Sequence, residues 1–472
     1  MKNSRLIQIL RSCSKKELRE LKKWVNSPAH NQREDVILLF NYLIEDGYLN
    51  KDEFIAKSQV FKWVYPKTSF DDAKMRQTIF FFMKCLEEFL IFQEFRQDEV
   101  KAKIALANVY RKRRLTKPFE KNHRIAHQLL KKHPFRDSQH LQNEYFLEQE
   151  QYKHLSTFRR TNLNLQEISD TLDVTFIADK LRQACLMLAH QNVYKTEYDI
   201  GLLDQVLTFI EKKGYLDIPA IAMYYYNYKS ITKQDNDDYF QNLKKQIVEN
   251  GHLFPREEIR NIYLLSINYC IARTNAGFEK YLRDAFELLR KGFETKILMV
   301  ANNTVSRVTF LNAVINGLKL KEFNWVEDFI EKNQKYLEQK YQESFVNFSF
   351  ALLYFEKKDY DKAMHYLLQY EHDDIIINLR AKNMLLKMYY ELGEHDALEY
   401  LLESMRNFLV RKKVMGYHKS NFINIIKLTK KLLKVNPYSK HQKAKVKLAI
   451  EQANPLTGEE RKWFLKQLEE IK

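Results

Sequence analysis

Phe350-Ala351-Leu352-Leu353-Tyr354, a polar turn and Ala363-Met364-His365-Tyr366-Leu367 are followed by Leu385-Leu386-Lys387-Met388-Tyr389, a turn at Gly393 and Ala397-Leu398-Glu399-Tyr400-Leu401. Each stretch reads as a helix, a turn and a second helix. The two turn-side alanines, Ala363 and Ala397, lie 34 residues apart. Small residues there let two helices approach closely, and units of this kind stack because each buries its apolar side on its neighbours.

This period and pattern resemble the tetratricopeptide repeat. The resemblance implies an α-solenoid in which the first helix of each unit lines a concave, partner-binding surface. Three departures from the repeat stand in the sequence. Asn347 and Lys382 occupy the usual Trp position, and Ile375 replaces the usual helix-ending Pro. Tyr354 and Tyr389 lie 35 residues apart, which implies a second turn one residue shorter. The departures leave the helical hairpins intact and weaken the transfer of any particular ligand.

Working outward, paired helices recur from about residue 101 on, with first helices expected near 175, 218, 255, 303, 341, 378 and 418. The expected organisation is an N-terminal helical domain over 1–100 and a solenoid of divergent hairpins over 101–472, closest to the repeat consensus at 341–411. Composition agrees with an all-α fold. The 472 residues include only 10 Gly and 8 Pro, with no proline between Pro255 and Pro437, whereas sheet-rich chains spend these residues in their many turns. With 31 Phe and 28 Tyr the chain is not of the disordered class.

Residues 1–100 read differently. Ser14-Lys-Lys-Glu17 is a capping box opening a helix to about Val25, closed by Ser27-Pro28. A second helix is expected over 32–46, and a short one between Asp52 and Tyr65, ending at Pro66. Ser69-Phe-Asp-Asp72 is expected to cap a long helix to about Arg96. Phe80-Phe81-Phe82 makes that helix apolar nearly all round and so predicts a central position. This region resembles the N-terminal part of an uncharacterised bacterial family of helical proteins with tetratricopeptide-like C-terminal regions. The resemblance rests on Leu10-Arg-Ser-Cys-Ser-Lys-Lys-Glu-Leu18, on Ser27-Pro28 and on Leu86-Glu-Glu-Phe-Leu90, and it implies no activity.

The formal net charge of +17 is concentrated. Residues 101–133 carry 11 Lys/Arg and one acid, Glu120. Residues 404–450 carry 13 Lys/Arg and no acid. The remainder is therefore 17 − 10 − 13 = −6. Two charged patches, or two solvated helix faces with no ligand, give this pattern.

Catalytic and cofactor motifs are absent from the sequence. The closest glycines, Gly201 and Gly214, are thirteen residues apart, so no phosphate-cradling loop is present. There is no HExxH or GxSxG. Cys13, Cys85, Cys185 and Cys270 are too far apart for a CxxC motif or a compact disulfide scaffold. Asp235-Asn-Asp-Asp238 lacks the Gly and Glu of a calcium loop and reads as a helix cap. His123 and His127 share a helix face but sit in a basic segment that repels a divalent cation. The expectation is a non-enzymatic cytoplasmic protein with no cofactor, no metal, no small-molecule substrate and no membrane span.

The resemblance places the concave face on 341–357 and 378–392. Phe345, Phe348, Leu352 and Phe355 would face it in the first unit, and Arg380, Asn383, Lys387 and Tyr390 in the second. Lys427, Lys430 and Lys434 repeat the i, i+3, i+7 spacing on the next first helix. The partner fitting Phe348, Phe355, Arg380, Asn383, Lys387, Tyr390 and Lys427 is an acidic peptide or partner helix. Packing of Phe345 and Phe348 inside a tight superhelix accounts for the same aromatic pattern. The alternative function is nucleic-acid or other polyanion binding through Arg111-Lys112-Arg113-Arg114 with Lys430 and Lys434. Tyr224-Tyr-Tyr-Asn-Tyr228 suits either an interface or helix packing.

Overall fold

A computed structural model describes residues 1–45, 47–158, 162–194, 196–300, 302–368, 375–411 and 416–471. The chain is all-α, with 23 α-helices and no strand among the described residues. It forms two compact units, Met1–Tyr225 and Tyr226–Lys472.

The first unit holds α1 (Arg5–Ser12), α2 (Lys15–Val25), α3 (Glu34–Phe40), α4 (Lys57–Val64), α5 (Asp72–Gln97), α6 (Glu99–Lys112), α7 (Thr116–Lys132), α8 (Ser138–Leu155), α9 (Leu165–Tyr194) and α10 (Leu203–Lys213). The division falls within α11 (Pro219–Thr232). The capping box opening α2 is complete: Glu17 N donates to Ser14 Oγ at 3.2 Å, and Ser14 N donates to Glu17 Oε2 at 2.6 Å. The helix expected over 32–46 is shorter, running as α3 and then a π turn over Asn41–Glu45. Asp46, its expected last residue, lies outside the described residues.

The cap of α5 is Asp71 rather than Ser69, because its carboxylate accepts from Ala73 N at 2.8 Å and Lys74 N at 3.1 Å. Nor is α5 enclosed all round: Phe82 is buried, while Phe80 is 63% exposed. One core runs from Leu6 to Phe89, and a second gathers Val100, Ala126, Leu130 and Leu147. The boundary expected near residue 100 thus separates two cores inside one unit. There α5 passes almost directly into α6, with Asp98 closing one helix and capping the next through Lys101 N at 2.9 Å.

The second unit continues with α12 (Asp237–Asn250), α13 (Arg256–Asn275), α14 (Lys280–Glu294), α15 (Arg307–Lys319), α16 (Phe323–Asn333), α17 (Gln339–Glu356), α18 (Tyr360–Leu368), α19 (Ile375–Leu392), α20 (His395–Arg411), α21 (Gly416–Leu432), α22 (Lys440–Gln452) and α23 (Gly458–Glu470). Sequence neighbours pack: α13 on α14, α15 on α16, α17 on α18, α19 on α20, and α21 on α22. α15 also packs on α17, first helix on first helix. Six of the seven expected first-helix starts fall within four residues of an observed start. The exception is α9, which begins ten residues early, at Leu165 rather than 175. Its first turns carry Leu165, Ile168 and Leu172, but Leu165 and Leu172 are exposed rather than core.

A backbone signature joins the hairpins. Gly277, Lys321, Lys358 and Gly393 all adopt positive φ at the end of a first helix. After each, the next N–H reaches back to a carbonyl five residues earlier: Phe278 to Arg273, Glu322 to Gly317, Asp359 to Tyr354 and Glu394 to Tyr389, at 2.9–3.1 Å. This is the Schellman closure, which satisfies carbonyls the helix end would otherwise leave unpaired.

Three residues (357–359) separate α17 from α18 and two (393–394) separate α19 from α20, the shorter second turn that was expected, and both turns close in the same register. The structural counterpart of Ala363 is Leu398, 35 residues on, and both are 0% exposed. A side chain in left-handed backbone is strained, and glycine is not. Gly393→Ala should cost about 1 kcal/mol and Lys321→Gly should gain about 0.5 kcal/mol, both readable by denaturant unfolding. Open space around Gly393 limits its cost to the backbone.

Candidate functional site

α19 is buried on most of its circumference. Leu379, Leu386 and Met388 are fully buried, and Ala381, Met384 and Leu385 nearly so. Between these apolar rows runs the polar stripe Arg380, Asn383, Lys387, with Tyr390 below it.

From Asn383 to Tyr390 the stripe meets α23, while Arg380 stays exposed. Glu460, on the first turn of α23, accepts through one oxygen, Oε1, from Asn383 Nδ2 at 2.9 Å and Lys387 Nζ at 3.0 Å. The Lys387 and Glu460 side chains are 13% and 12% exposed, so this ion pair is largely desolvated. Glu460 Oε2 and Asn383 Oδ1 are sealed from solvent and accept no hydrogen bond. A buried acceptor left unmatched costs about 1–3 kcal/mol, so the seam is complementary but incomplete.

One turn further along α23, Trp463 lies over the same stripe. Its indole N–H donates to Glu391 Oε1 at 2.9 Å. Its ring meets Tyr390 edge-on at 5.5 Å, and Lys387 Nζ stands 5.6 Å from the ring centre. Burial pushes the Tyr390 phenol up to about 12, helped by the charge of Glu470. Glu391 also accepts from Lys358 Nζ at 2.8 Å and from the Tyr360 hydroxyl. Burial opposes its ionisation, but the bonds from Lys358, Tyr360 and Trp463 outweigh that and hold the carboxyl below its usual range.

A carboxyl depressed in the folded state stabilises fully above its unfolded pKa of about 4.3 and loses that contribution as pH falls through the folded value. Amide exchange in α23 should therefore accelerate below about pH 4, and Glu391→Gln should remove that acid-labile part.

Thr457-Gly-Glu-Glu460 has the spacing of a capping box at the start of α23, but only half of it is made. Thr457 Oγ1 accepts from Glu460 N at 3.3 Å, but the Glu460 carboxylate leaves its own helix end for Asn383 and Lys387. Asn383, Lys387 and Tyr390 are thus brought together around α23. The Phe355 ring lies 5.8 Å from Tyr360 and 5.7 Å from Lys358 Nζ, the two residues that bond Glu391.

Phe348 is a correction. It is 1% exposed, because α17 is clasped by α15, α16 and α18 and its aromatic row is core. Phe345 is likewise buried. Arg380 and Lys427 are exposed, with no side-chain ion pair or hydrogen bond among the described residues. The residues that the sequence reading missed are Lys358, Tyr360, Glu391, Glu460 and Trp463. Glu460 alone carried a signal, and it pointed to a local cap.

The alternative basic site changes in one member. Arg111 donates to the buried Glu150 at 2.8 Å and is only 22% exposed, so it is a structural partner rather than a free cation. Lys112, Arg113 and Arg114 are exposed, as are Lys430 and Lys434. His123 bonds the Leu147 carbonyl at 3.2 Å, while His127 lies 3.5 Å from Glu148. Among the described residues no group of His, Cys, Asp and Glu is arranged to hold a metal ion, and no helix is long and apolar enough to cross a membrane. Tyr224 and Tyr225 are buried, in keeping with packing.

Comparison of the chain with protein-family models, with curated proteins and with solved structures returns no match.

Proposed function

We propose that the chain is a non-enzymatic interaction scaffold. Its hairpins stack as a solenoid, and the α19 stripe receives a carboxylate-bearing peptide or partner helix. The observation that supports this reading is the Glu460 carboxylate between Asn383 and Lys387, flanked by an indole on Tyr390. A charge-assisted bond from Lys beside an amide donor is the chemistry that recognises an acidic side chain, and aromatic neighbours supply apolar contact area. Arg380, exposed at the upper end of the stripe, extends the positive surface. Immobilised wild-type chain should retain acidic partners that the Arg380→Glu/Lys387→Glu chain loses. Identical partner sets from both would remove the assignment.

The second reading, polyanion binding, is favoured by a different observation. Lys427, Lys430, Lys431 and Lys434 are exposed at i, i+3, i+4 and i+7 on and just beyond α21, with no ion pair among the described residues. Like charges at this spacing repel, and phosphates would relieve that repulsion. Duplex affinity should then fall by about 0.9 log unit per log unit of salt for each phosphate contacted. No gel shift at low salt would end this reading.

A further inference from the structure

We propose, resting on the carboxylate-binding reading of the α19 stripe, that α23 is a tethered occupant of that site. The partner in trans is then an amphipathic helix presenting the same two groups, a carboxylate and an indole three residues later. Three features of the seam carry this.

The first is the diverted side chain. Thr457-x-x-Glu460 can close its own capping box, which would satisfy a backbone N–H at the start of α23. Glu460 instead reaches across 77 residues of sequence to Asn383. The α19 stripe therefore outcompetes the local partner of this carboxylate.

The second is the character of the interface. The buried residues of α23 are Glu460, Phe464, Gln467 and Leu468, two of them polar. A helix serving only to cover a solenoid end needs apolar burial there, not a desolvated carboxylate with one oxygen unmatched. A partner helix that places a donor at Asn383 Oδ1 would satisfy the site better than α23 does.

The third is the connection. α23 follows α22 through Ala453–Thr457, and Arg461 donates to the Ala453 carbonyl at 2.8 Å. A released helix stays close, at an effective concentration of about millimolar. In wild-type chain a partner must compete with that, and its apparent affinity is reduced accordingly.

The test uses full-length chain and a labelled peptide of residues 456–471, followed by fluorescence anisotropy. Glu460→Lys in the chain sets a lysine against Lys387 and expels its own helix while leaving α19 intact. Phe464→Ala weakens docking by a separate route. Both chains should bind the peptide at least tenfold more tightly than wild type. Adding Lys387→Glu should abolish the gain, as should Glu460→Gln in the peptide. Peptide affinity unchanged from wild type in both variants, with α23 shown to be released by amide exchange, would overturn the proposal. An acidic helical peptide lacking the indole that binds the released chains as well as residues 456–471 do would leave carboxylate recognition standing and sink the tethered-occupant pattern. Failure of both peptides would sink the two together.

Discussion

Phe348→Ala is expected to destabilise the second unit by about 3–5 kcal/mol. The ring is 1% exposed, and α15, α16 and α18 close around its helix. Truncation therefore leaves a cavity that packed helices fill only in part. Phe355→Ala should cost much less, since that ring is half-buried against Tyr360 and Lys358. Chemical denaturation of the two variants separates the roles. Similar small costs would return Phe348 to the surface.

Lys387→Glu has the second large effect, and it is local. It removes the cation from a pair whose side chains are 13% and 12% exposed and puts two carboxylates together. Breaking a buried pair costs about 3–5 kcal/mol, chiefly because the remaining charge is stranded. α23 is held besides by Phe464 and Leu468, by packing on α21 and α22 and by Arg461 on the Ile450 and Ala453 carbonyls, so the loss falls on the start of the helix, where Glu460 meets α19. The variant should become sensitive to tryptic cleavage at Arg461, Lys462 and Lys466, with the rest of the chain resistant. The reversed pair, Lys387→Glu with Glu460→Lys, should recover part of the resistance. The Asn383 amide can turn its oxygen toward the new ammonium. No recovery would mean that the two residues do not interact.

Much of the fold was legible because helical hairpins advertise themselves locally. Six first helices begin within four residues of where their spacing puts them. The turn signature was half hidden. Gly277 and Gly393 announce left-handed backbone, but Lys321 and Lys358 adopt it with a side chain that gives no sign of it. Aligning Ala397 with Ala363 followed residue type, whereas the closed turns make Leu398 the true counterpart.

The site was less legible for a different reason, because its decisive contacts span long stretches of chain. Asn383 meets Glu460 across 77 residues, and Arg111 meets Glu150 across 39. Lys387 reads as a groove cation and Arg111 as part of a basic run until those partners are in place. The stripe was assigned by helix spacing, which is local. What covers it depends on tertiary packing, which is not. Phe348 failed likewise: Phe345, Val346, Phe348, Ser349, Ala351 and Leu353 are all buried, so α17 has no single apolar face to set apart as concave.

The direct test of the α19–α23 seam is amide hydrogen exchange across 458–470 in wild-type and Lys387→Ala chains. Protection there should fall sharply in the variant while α17 to α20 stay as protected as in wild type. Undiminished protection of α23 without the Lys387 ammonium would contradict the claim that this stripe holds a helix by its carboxylate.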